Sequence, residues 1–384
     1  MGLLGLSGCG SPSSASMETS SEAASEVTRT AETSQEEQTK LVKTGSMELQ
    51  YAENFTVDYY EGGYKLLTTL PDDKRYLLVP EGQGVPADLD EDICVLQEPL
   101  QNIYLVASGV MDMFASVDAV DQIRFSGQKQ ENWYIQTAKD AMAAGDMIYA
   151  GKYSKPDYEL LVSEGCDLAI ENRMITHSPE VVEMLQSFDI PVMIEYSSYE
   201  QHPLGKVEWV KFFGALTGKE AKAEEAFAEQ TEILEEVESG EKTGKTIAFF
   251  YVTSNGLIQV RQSTDYIPKL IELAGGRYIF ENLEDSGSGR STLNMQVEDF
   301  YAGAKDADIL IYNSSIDGGV TTVDELIGKC NILKDFKAVQ EGQVYCTTND
   351  MYQQSMAVGY LLQDMHTVLT DDDTAKLRYL FLLQ

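Results

Sequence analysis

The sequence is poor in the residues that build metal centres and redox sites. Its 384 residues include three histidines, at positions 177, 202 and 366, and five cysteines. No two cysteines are spaced as CxxC, so a zinc ribbon or a dithiol redox motif has no support. The wide separation of the histidines argues against a histidine-rich zinc or manganese site. We therefore expect neither a metal centre nor a bound cofactor.

Basic residues are also scarce. The chain has 28 Lys and Arg against 63 Asp and Glu, which gives a formal net charge of −35. Because phosphate groups are bound mainly through Lys and Arg, a body of this charge repels nucleic acids and anionic lipid headgroups. No stretch of the later chain approaches the length of about 20 apolar residues that a transmembrane helix needs.

Sequence motifs of catalysis are missing as well. No GxGxxG follows a predicted strand, and the chain has no Walker loop, no GxSxG and no HExxH. Carboxylate pairs carry no information about acid–base catalysis in a chain with this many acids. We therefore expect a binding protein rather than an enzyme, with an extracellular hydrolase as a distant alternative.

The N-terminus is a short apolar run followed by a segment of low complexity. Leu6-Ser7-Gly8-Cys9 matches the lipobox of bacterial lipoproteins, in which the cysteine becomes the lipidated first residue. The match implies that residues 1–9 are the end of a signal peptide and that the recorded start lacks most of it. Residues 10–46 are dominated by Ser, Thr, Glu and Ala, which predicts a disordered tether with an end-to-end distance of about 35 Å.

The rest of the chain alternates short apolar runs with helical patterns. Buried strands are predicted at 75–80, 103–107, 167–170, 191–195, 246–252, 308–312 and 343–346. Helices are predicted at 133–144, 156–164, 178–188, 264–274 and 353–369. This alternation indicates parallel sheets covered by helices, an α/β fold.

No flexible linker divides the chain. Residues 204–217 have an amphipathic helical pattern that ends at Gly218, and residues 219–238 are almost all strong helix formers. A helix of twenty residues is about 30 Å long. We predict two Rossmann-like lobes that are joined by one long rigid α-helix and enclose a ligand cleft. The predicted boundaries are 47–205 for the N-terminal lobe, 206–240 for the connecting helices and 241–384 for the C-terminal lobe.

An internal similarity supports two related lobes. Residues 159–172 and 298–313 both begin with a Glu that opens a short helix. In both segments an Asp, at 167 and 308, comes directly before an apolar strand that Asn follows, although the spacing from Glu to Asp differs by two residues. The pattern favours a duplication.

Together the lipobox, the tether and the two joined lobes resemble the helical-backbone (class III) substrate-binding lipoproteins of ABC importers, which take up ferric siderophores, haem and vitamin B12. The resemblance covers nearly all of residues 75–370. Its most specific stretches are 150–159, 166–172, 189–194 and 197–209, the last of which resembles the iron-complex subgroup. Cys166 departs from the family, which usually has proline there, and the family assigns no role to the polar region before residue 74.

The resemblance implies an extracytoplasmic protein that captures a ferric siderophore and delivers it to an ABC permease and its ATPase. Haem or a corrinoid is the alternative ligand. It further implies a monomer on the outer face of the cytoplasmic membrane, attached only through a lipid on Cys9. In this family an exposed Glu on each lobe pairs with Arg of the permease. Glu159 matches the first position, and Glu298 matches the second loosely, with Asp299 as a rival; helix N-terminal acids also occur for purely electrostatic reasons.

Ligand groups are expected where the carboxyl ends of the strands of both lobes face each other. The corresponding stretches are 108–113, 149, 172–173, 251–255, 261, 293–295 and 349–352. Arg173 and Arg261 could hold an anionic chelate bidentately, or could only pair with nearby acids. The remaining candidates are aromatic or sulfur-bearing side chains that could stack on a ligand or belong to the core: Trp133, Tyr149, Tyr251, Tyr352, Met111 and Met295.

Overall fold

A computed structural model describes residues 40–284, 291–314, 319–371 and 374–384. Cys9 and residues 10–39 lie outside the described residues. The first part of the chain forms a five-stranded sheet in the order β1-β2-β3-β4-β5, antiparallel except for the last pair. Its strands are β1 (Lys43–Ser46), β2 (Phe55–Tyr60), β3 (Lys65–Thr69), β4 (Lys74–Val79) and β5 (Ile93–Gln97).

This first sheet differs from the sequence-based prediction in two ways. Residues 43–46 are a strand and not part of a tether, and residues 43–97 form a sheet of their own, although residues 47–205 were predicted as one lobe. All four residues of β1 are exposed, so the strand is held by backbone pairing with β2 and leaves no hydrophobic pattern in the sequence. One face of the sheet, which includes Phe55 and Leu67, packs into the main core.

The N-terminal lobe is built on a parallel sheet, as predicted. Its order is β12-β11-β6-β7-β8, and all four pairings are parallel. The strands are β6 (Ile103–Leu105), β7 (Ile123–Ser126), β8 (Ile148–Tyr149), β11 (Leu168–Asn172) and β12 (Val192–Glu195), with a small hairpin of β9 (Gly151–Lys152) and β10 (Lys155–Pro156). The helices are α1 (Val110–Ser116), α2 (Gln136–Ala144), α3 (Tyr158–Ser163) and α4 (Pro179–Ser187).

Two helices lead from this lobe to the next: α5 (Pro203–Thr217) and α6 (Glu220–Glu238). Gly218 ends α5 in the left-handed region at φ 70°, as the sequence predicts. The expectation that α5 is amphipathic is wrong, because all its residues are buried. It packs against α6 and contacts the first sheet and both lobes, so no side is left for water. By contrast, α6 buries one face, which includes Phe227 and Leu234.

The C-terminal lobe has a mixed sheet in the order β16-β14-β13-β17-β18-β19, with β15 also paired to β13. The pairings of β13 with β15 and β17, and of β17 with β18, are parallel; the others are antiparallel. The strands are β13 (Thr246–Val252), β14 (Ile258–Arg261), β15 (Arg277–Tyr278), β16 (Thr292–Met295), β17 (Ile309–Tyr312), β18 (Val344–Thr347) and β19 (Leu380–Leu382). The helices are α7 (Tyr266–Leu273), α8 (Val297–Ala304), α9 (Val323–Lys329), α10 (Lys337–Gln340) and α11 (Val358–Thr370).

The internal similarity seen in the sequence corresponds to a shared structural device. Asp167, just before β11, accepts hydrogen bonds of 2.9 and 2.8 Å from the backbone N–H groups of residues 101 and 102, which lead into β6. Asp308, just before β17, accepts one of 2.7 Å from the backbone N–H of Thr246, which begins β13. In each lobe an Asp thus connects the starts of two parallel neighbouring strands, which supports the relation between the lobes.

A continuous core connects the parts of the molecule. One cluster of buried apolar side chains includes residues of the first sheet, of both lobes and of α5 and α6, such as Phe55, Ile103, Trp209 and Ile247. Two buried carboxylates hold further segments to this body: Glu208 accepts backbone hydrogen bonds from residues 50–52, and Asp364 accepts them from residues 378–380. Within the described ranges, no helix is both long and apolar enough to cross a membrane.

Candidate ligand site

A cavity of about 240 Å³ lies where the parallel strands of the N-terminal lobe end. The segments after β6 and β11 supply Ser108 and Arg173, and β12 ends at Glu195, which also lines it. The connecting helix α5 contributes Lys206, and the C-terminal lobe contributes Tyr352. The cavity is therefore bounded by both lobes and by the element that joins them, which is where a ligand cleft is expected.

The wall from the C-terminal lobe is organised around Tyr352. Its hydroxyl oxygen accepts a hydrogen bond of 2.7 Å from Asn313 Nδ2 and another from Arg261 Nη2. Arg261 Nη1 lies 3.3 Å from Asp265 Oδ2, and the guanidinium lies 5.6 Å from the centre of the Tyr352 ring. Burial raises the pKa of the Tyr352 hydroxyl, and the Arg261 charge opposes this rise. The hydroxyl is therefore protonated at neutral pH.

Arg261 lies behind Tyr352 rather than on the cavity surface. Its side chain is 10% exposed and is engaged by Asp265 and Tyr352. It is the last residue of β14, and residues 293–295 lie in the antiparallel partner strand β16. Arg261 therefore orients Tyr352. A direct contact between Arg261 and the ligand stays a prediction.

Arg173 does line the cavity, as predicted from the sequence. It directly follows β11, and its guanidinium lies 4.7 Å from the centre of the Tyr199 ring, which also faces the cavity. Stacking on an aromatic ring restricts an arginine side chain and fixes the plane of its guanidinium group. The role of Arg173 in binding stays a prediction.

Lys206 is a cavity residue that the sequence reasoning missed. It lies in α5, is 4% exposed, and has its Nζ 4.8 Å from the centre of the Tyr266 ring. Burial lowers the pKa of its ammonium group, and the Glu195 carboxylate opposes this lowering. The sequence analysis singled out Arg173 and Arg261 because basic residues are scarce in this chain. A lysine within a largely apolar helix is equally unusual and could have been singled out for the same reason.

Glu195 is the acidic residue of this cavity. Its Oε2 accepts hydrogen bonds of 2.8 Å from the backbone N–H of Ser197 and 2.5 Å from its hydroxyl. Burial raises the pKa of the Glu195 carboxyl, although these bonds act in the opposite direction. The acid is thus tied to the turn that follows β12, and sequence reasoning did not single it out.

The structure places Met111 and Trp133 in the main core and not on the cavity surface. Met111 is 0% and Trp133 is 1% exposed, and Trp133 Nε1 donates a 3.0 Å hydrogen bond to Ser126 Oγ. Neither side chain has surface to offer a ligand here, because both fill the space between sheet and helices. The prediction that Met111 and Trp133 contact the ligand is therefore wrong for this cavity.

Three further candidates lie elsewhere in the lobes. Tyr149 is 41% exposed at the end of the edge strand β8. Tyr251 in β13 and Met295 in β16 are half-buried and pack against the separate core of the C-terminal lobe. None of the three lines the cavity described above, so their contact with a ligand stays a prediction.

The two acids expected to dock a permease occupy matching positions. Glu159 is the second residue of α3, and Glu298 is the second residue of α8. Both are exposed, and each of these helices is followed by a strand of a central sheet. The matching helix position makes Glu298, rather than Asp299, the counterpart of Glu159. In the ranges that the structure covers, no group of three or more His, Cys, Asp or Glu side chains could hold a metal ion.

Comparison with known proteins agrees with this geometry. The family model for periplasmic binding proteins matches residues 106–351. An uncharacterized lipoprotein of Methanocaldococcus jannaschii is 24% identical over 351 residues, which cover 84% of this chain and 81% of the relative.

Solved structures share the fold at lower identity. A periplasmic heme binding protein, HutB of Vibrio cholerae, aligns with a TM-score of 0.55 and 14% identity, covering 70% of this chain and 98% of that one. A protein of the Fe3+-hydroxamate transport system from Saccharomonospora viridis aligns with a TM-score of 0.54 and 17% identity, covering 70% and 93%. The α/β fold and the resemblance to helical-backbone substrate-binding proteins are thereby confirmed. With more than half of its length matched by the family model, this chain belongs to the periplasmic binding protein family.

Proposed function

We propose that this protein is the substrate-binding component of an ABC importer, and that it captures an anionic iron chelate of the ferric siderophore type. The observation that carries the proposal is the cavity between the two lobes, which Arg173 and Lys206 line together with one acid, Glu195. In a chain of net charge −35, two cations at one small cavity are selective for an anionic ligand. The protein would hand this ligand to a permease and its ATPase.

A chelate is favoured over haem or a corrinoid because of the cavity lining. A flat macrocycle is bound best between apolar and aromatic side chains. This cavity has Met174, Tyr199 and Tyr352 of that kind, but three charged side chains, Arg173, Glu195 and Lys206, line it as well. Two further side chains that could have served a macrocycle, Met111 and Trp133, are in the core. The solved relatives include both a heme binder and a hydroxamate-transport protein, so haem is the alternative that the test must include.

Delivery would use the two exposed acids. Glu159 and Glu298 lie on separate lobes, each in the first turn of its helix. Two carboxylates held apart on one body would form charge-assisted contacts with two permease arginines and so fix the orientation of the complex. We further propose that the protein acts as a monomer outside the cytoplasm, attached to the membrane by a lipid on Cys9. The Methanocaldococcus relative is itself named a lipoprotein.

The proposal is tested by titrating the purified protein with a panel of ferric siderophores, haem and cobalamin while following tyrosine and tryptophan fluorescence. We expect an anionic ferric chelate to bind tightest and Arg173→Ala to weaken it by about tenfold or more, since a bidentate arginine contact is lost. Arg124→Ala is the matched control, because Arg124 lies on β7 and pairs with Glu164 outside the cavity. Tightest binding of haem or cobalamin, or equal affinity in both variants, would contradict the proposal.

A further inference from the structure

Lys206 is a buried cation without a hydrogen-bonding partner. Its side chain lines the cavity and is 4% exposed, yet its Nζ forms no hydrogen bond and no ion pair within 4.0 Å to any residue that the structure describes. Its Nζ lies over the face of the Tyr266 ring, 4.8 Å from the ring centre. A buried ammonium group is costly unless it is paired and hydrogen-bonded. The site therefore has an unfilled requirement for an acceptor.

The charges around Lys206 do not meet this requirement. Asp265 is engaged by Arg261 and by the backbone N–H of Ile267. Glu195 has one carboxylate oxygen bound by the hydroxyl and the backbone N–H of Ser197. Lys206 feels both acids electrostatically but contacts neither within 4.0 Å.

Tyr352 supplies a second donor at the same place. Its oxygen already accepts hydrogen bonds from Arg261 and Asn313, so its own proton is left to be donated. Tyr352 lines the cavity together with Lys206. An ammonium group from the connecting helix and a hydroxyl donor from the C-terminal lobe are suited to one ionised oxygen group.

We propose that Lys206 and Tyr352 form an anion subsite that binds one ionised oxygen group of the ligand, of the carboxylate or phosphate kind. The proposal deepens the proposed function, on which its choice of cavity rests. The subsite places Lys206, a buried cation of the cavity, on the connecting helix α5. The sequence analysis gave this helix no role except to join the two lobes. An anion bound here contacts α5 and the C-terminal lobe at once.

The test uses simple anions, so it does not depend on the identity of the natural ligand. Thermal unfolding of the full-length protein is measured with citrate, inorganic phosphate or the uncharged trimethyl citrate at about 10 mM. We expect citrate or phosphate to raise Tm by about 2–4 °C in the wild type, and trimethyl citrate to have no effect. Lys206→Met should abolish the rise, and Lys206→Gln provides a second variant with a polar side chain.

Lys211→Met is the matched control. Lys211 lies on the same helix and is also 4% exposed, but it is paired with Glu208 and Glu224. Its variant should keep the response to anions while losing stability, because Glu208 then loses its partner. Lys206→Met should keep or gain stability in the absence of anions, since it removes an unpartnered buried charge.

The outcomes distinguish a failure of the anion subsite from a failure of the proposed function. Stabilisation by citrate or phosphate that disappears in both Lys206 variants supports the subsite, even if no iron chelate binds and the proposed function fails. If neither anion stabilises the wild type, or if Lys206→Met responds as the wild type does, the subsite is wrong. Equal affinity of the wild type and Lys206→Met for an anionic iron chelate would also overturn the subsite while leaving the proposed function intact.

Discussion

Replacing Glu171 by glutamine should flatten the dependence of stability on pH between pH 5 and 7. Glu171 lies in β11, is 0% exposed, and neither of its carboxylate oxygens has a hydrogen-bond partner among the described residues. Burial alone raises the pKa of this carboxyl from 4.5 to about 8. The folded protein therefore holds a proton on Glu171 that the unfolded chain releases.

The sign and size of the effect follow from linkage. Because the pKa is raised on folding, the stabilisation is complete below pH 4.5 and is lost as the pH rises toward 8. One unit of pKa shift corresponds to about 1.4 kcal/mol, so the contribution of Glu171 to the free energy of unfolding should fall by about 2.5 kcal/mol from pH 5 to pH 7. Glutamine has nearly the same shape and does not ionise, so it removes this loss.

Urea denaturation at 25 °C, at half-unit steps between pH 5 and 7, measures the effect. Several other buried acids titrate in the same direction, so the informative quantity is the difference between the variant and the wild type at each pH. The difference should grow with pH in favour of Glu171→Gln. Glu183→Gln, at an exposed position of α4, is the control and should leave the profile unchanged. Parallel profiles for Glu171→Gln and the wild type would refute the reasoning.

Three further changes probe closure, folding and delivery. Gln353→Ala should weaken binding in the cavity roughly tenfold by isothermal titration, because the Gln353 amide joins the two lobes through two hydrogen bonds of 2.8 Å. Glu208→Ala should lower the free energy of unfolding by about 3 kcal/mol in urea denaturation, because the backbone N–H groups of residues 50–52 lose the buried carboxylate that accepts their hydrogen bonds. Glu159→Ala combined with Glu298→Ala should leave ligand affinity unchanged and abolish uptake into proteoliposomes that contain the permease.

Each of these changes has a control in the same region. Gln354→Ala removes a contact within one loop and should not change affinity. Glu225→Ala, on the exposed face of α6, should change stability by less than about 0.5 kcal/mol. Asp299→Ala should leave uptake unchanged if Glu298 is the docking residue. A control that behaves like its partner variant would show that the stated contact is not the cause.

Local sequence patterns were sufficient to predict a strand where consecutive residues are all buried. The runs at 246–252 and 308–312 are apolar after their first residue and correspond to β13 and β17, and the helix-forming segment 219–238 corresponds to α6. Central strands of this kind can be recognised from the sequence, because their residues are covered on both faces of the sheet and are therefore apolar in succession. The exposed strand β1 has no such pattern and was missed.

Neighbours distant in sequence decided the character of α5 and of the candidate site. The helix was expected to be amphipathic, but contacts with both lobes bury its polar positions, including Lys206 and Glu208. The same contacts put Trp133 in the core and Arg261 behind Tyr352. The side chain types alone could not distinguish these environments, since arginine, lysine and tryptophan occur in cores, at ion pairs and in ligand sites.

The sequence by itself thus determined the class of fold, seven of the strands and five of the helices in their order along the chain, the long helix between the lobes and the family. These depend on hydrophobic periodicity and helix propensity, which each segment carries locally. Only the tertiary structure decided which side chains face the cavity, that Lys206 has no hydrogen-bonding partner there among the described residues, and that Glu298 matches Glu159. Those properties depend on burial and pairing between segments far apart in the chain, and no single segment encodes them.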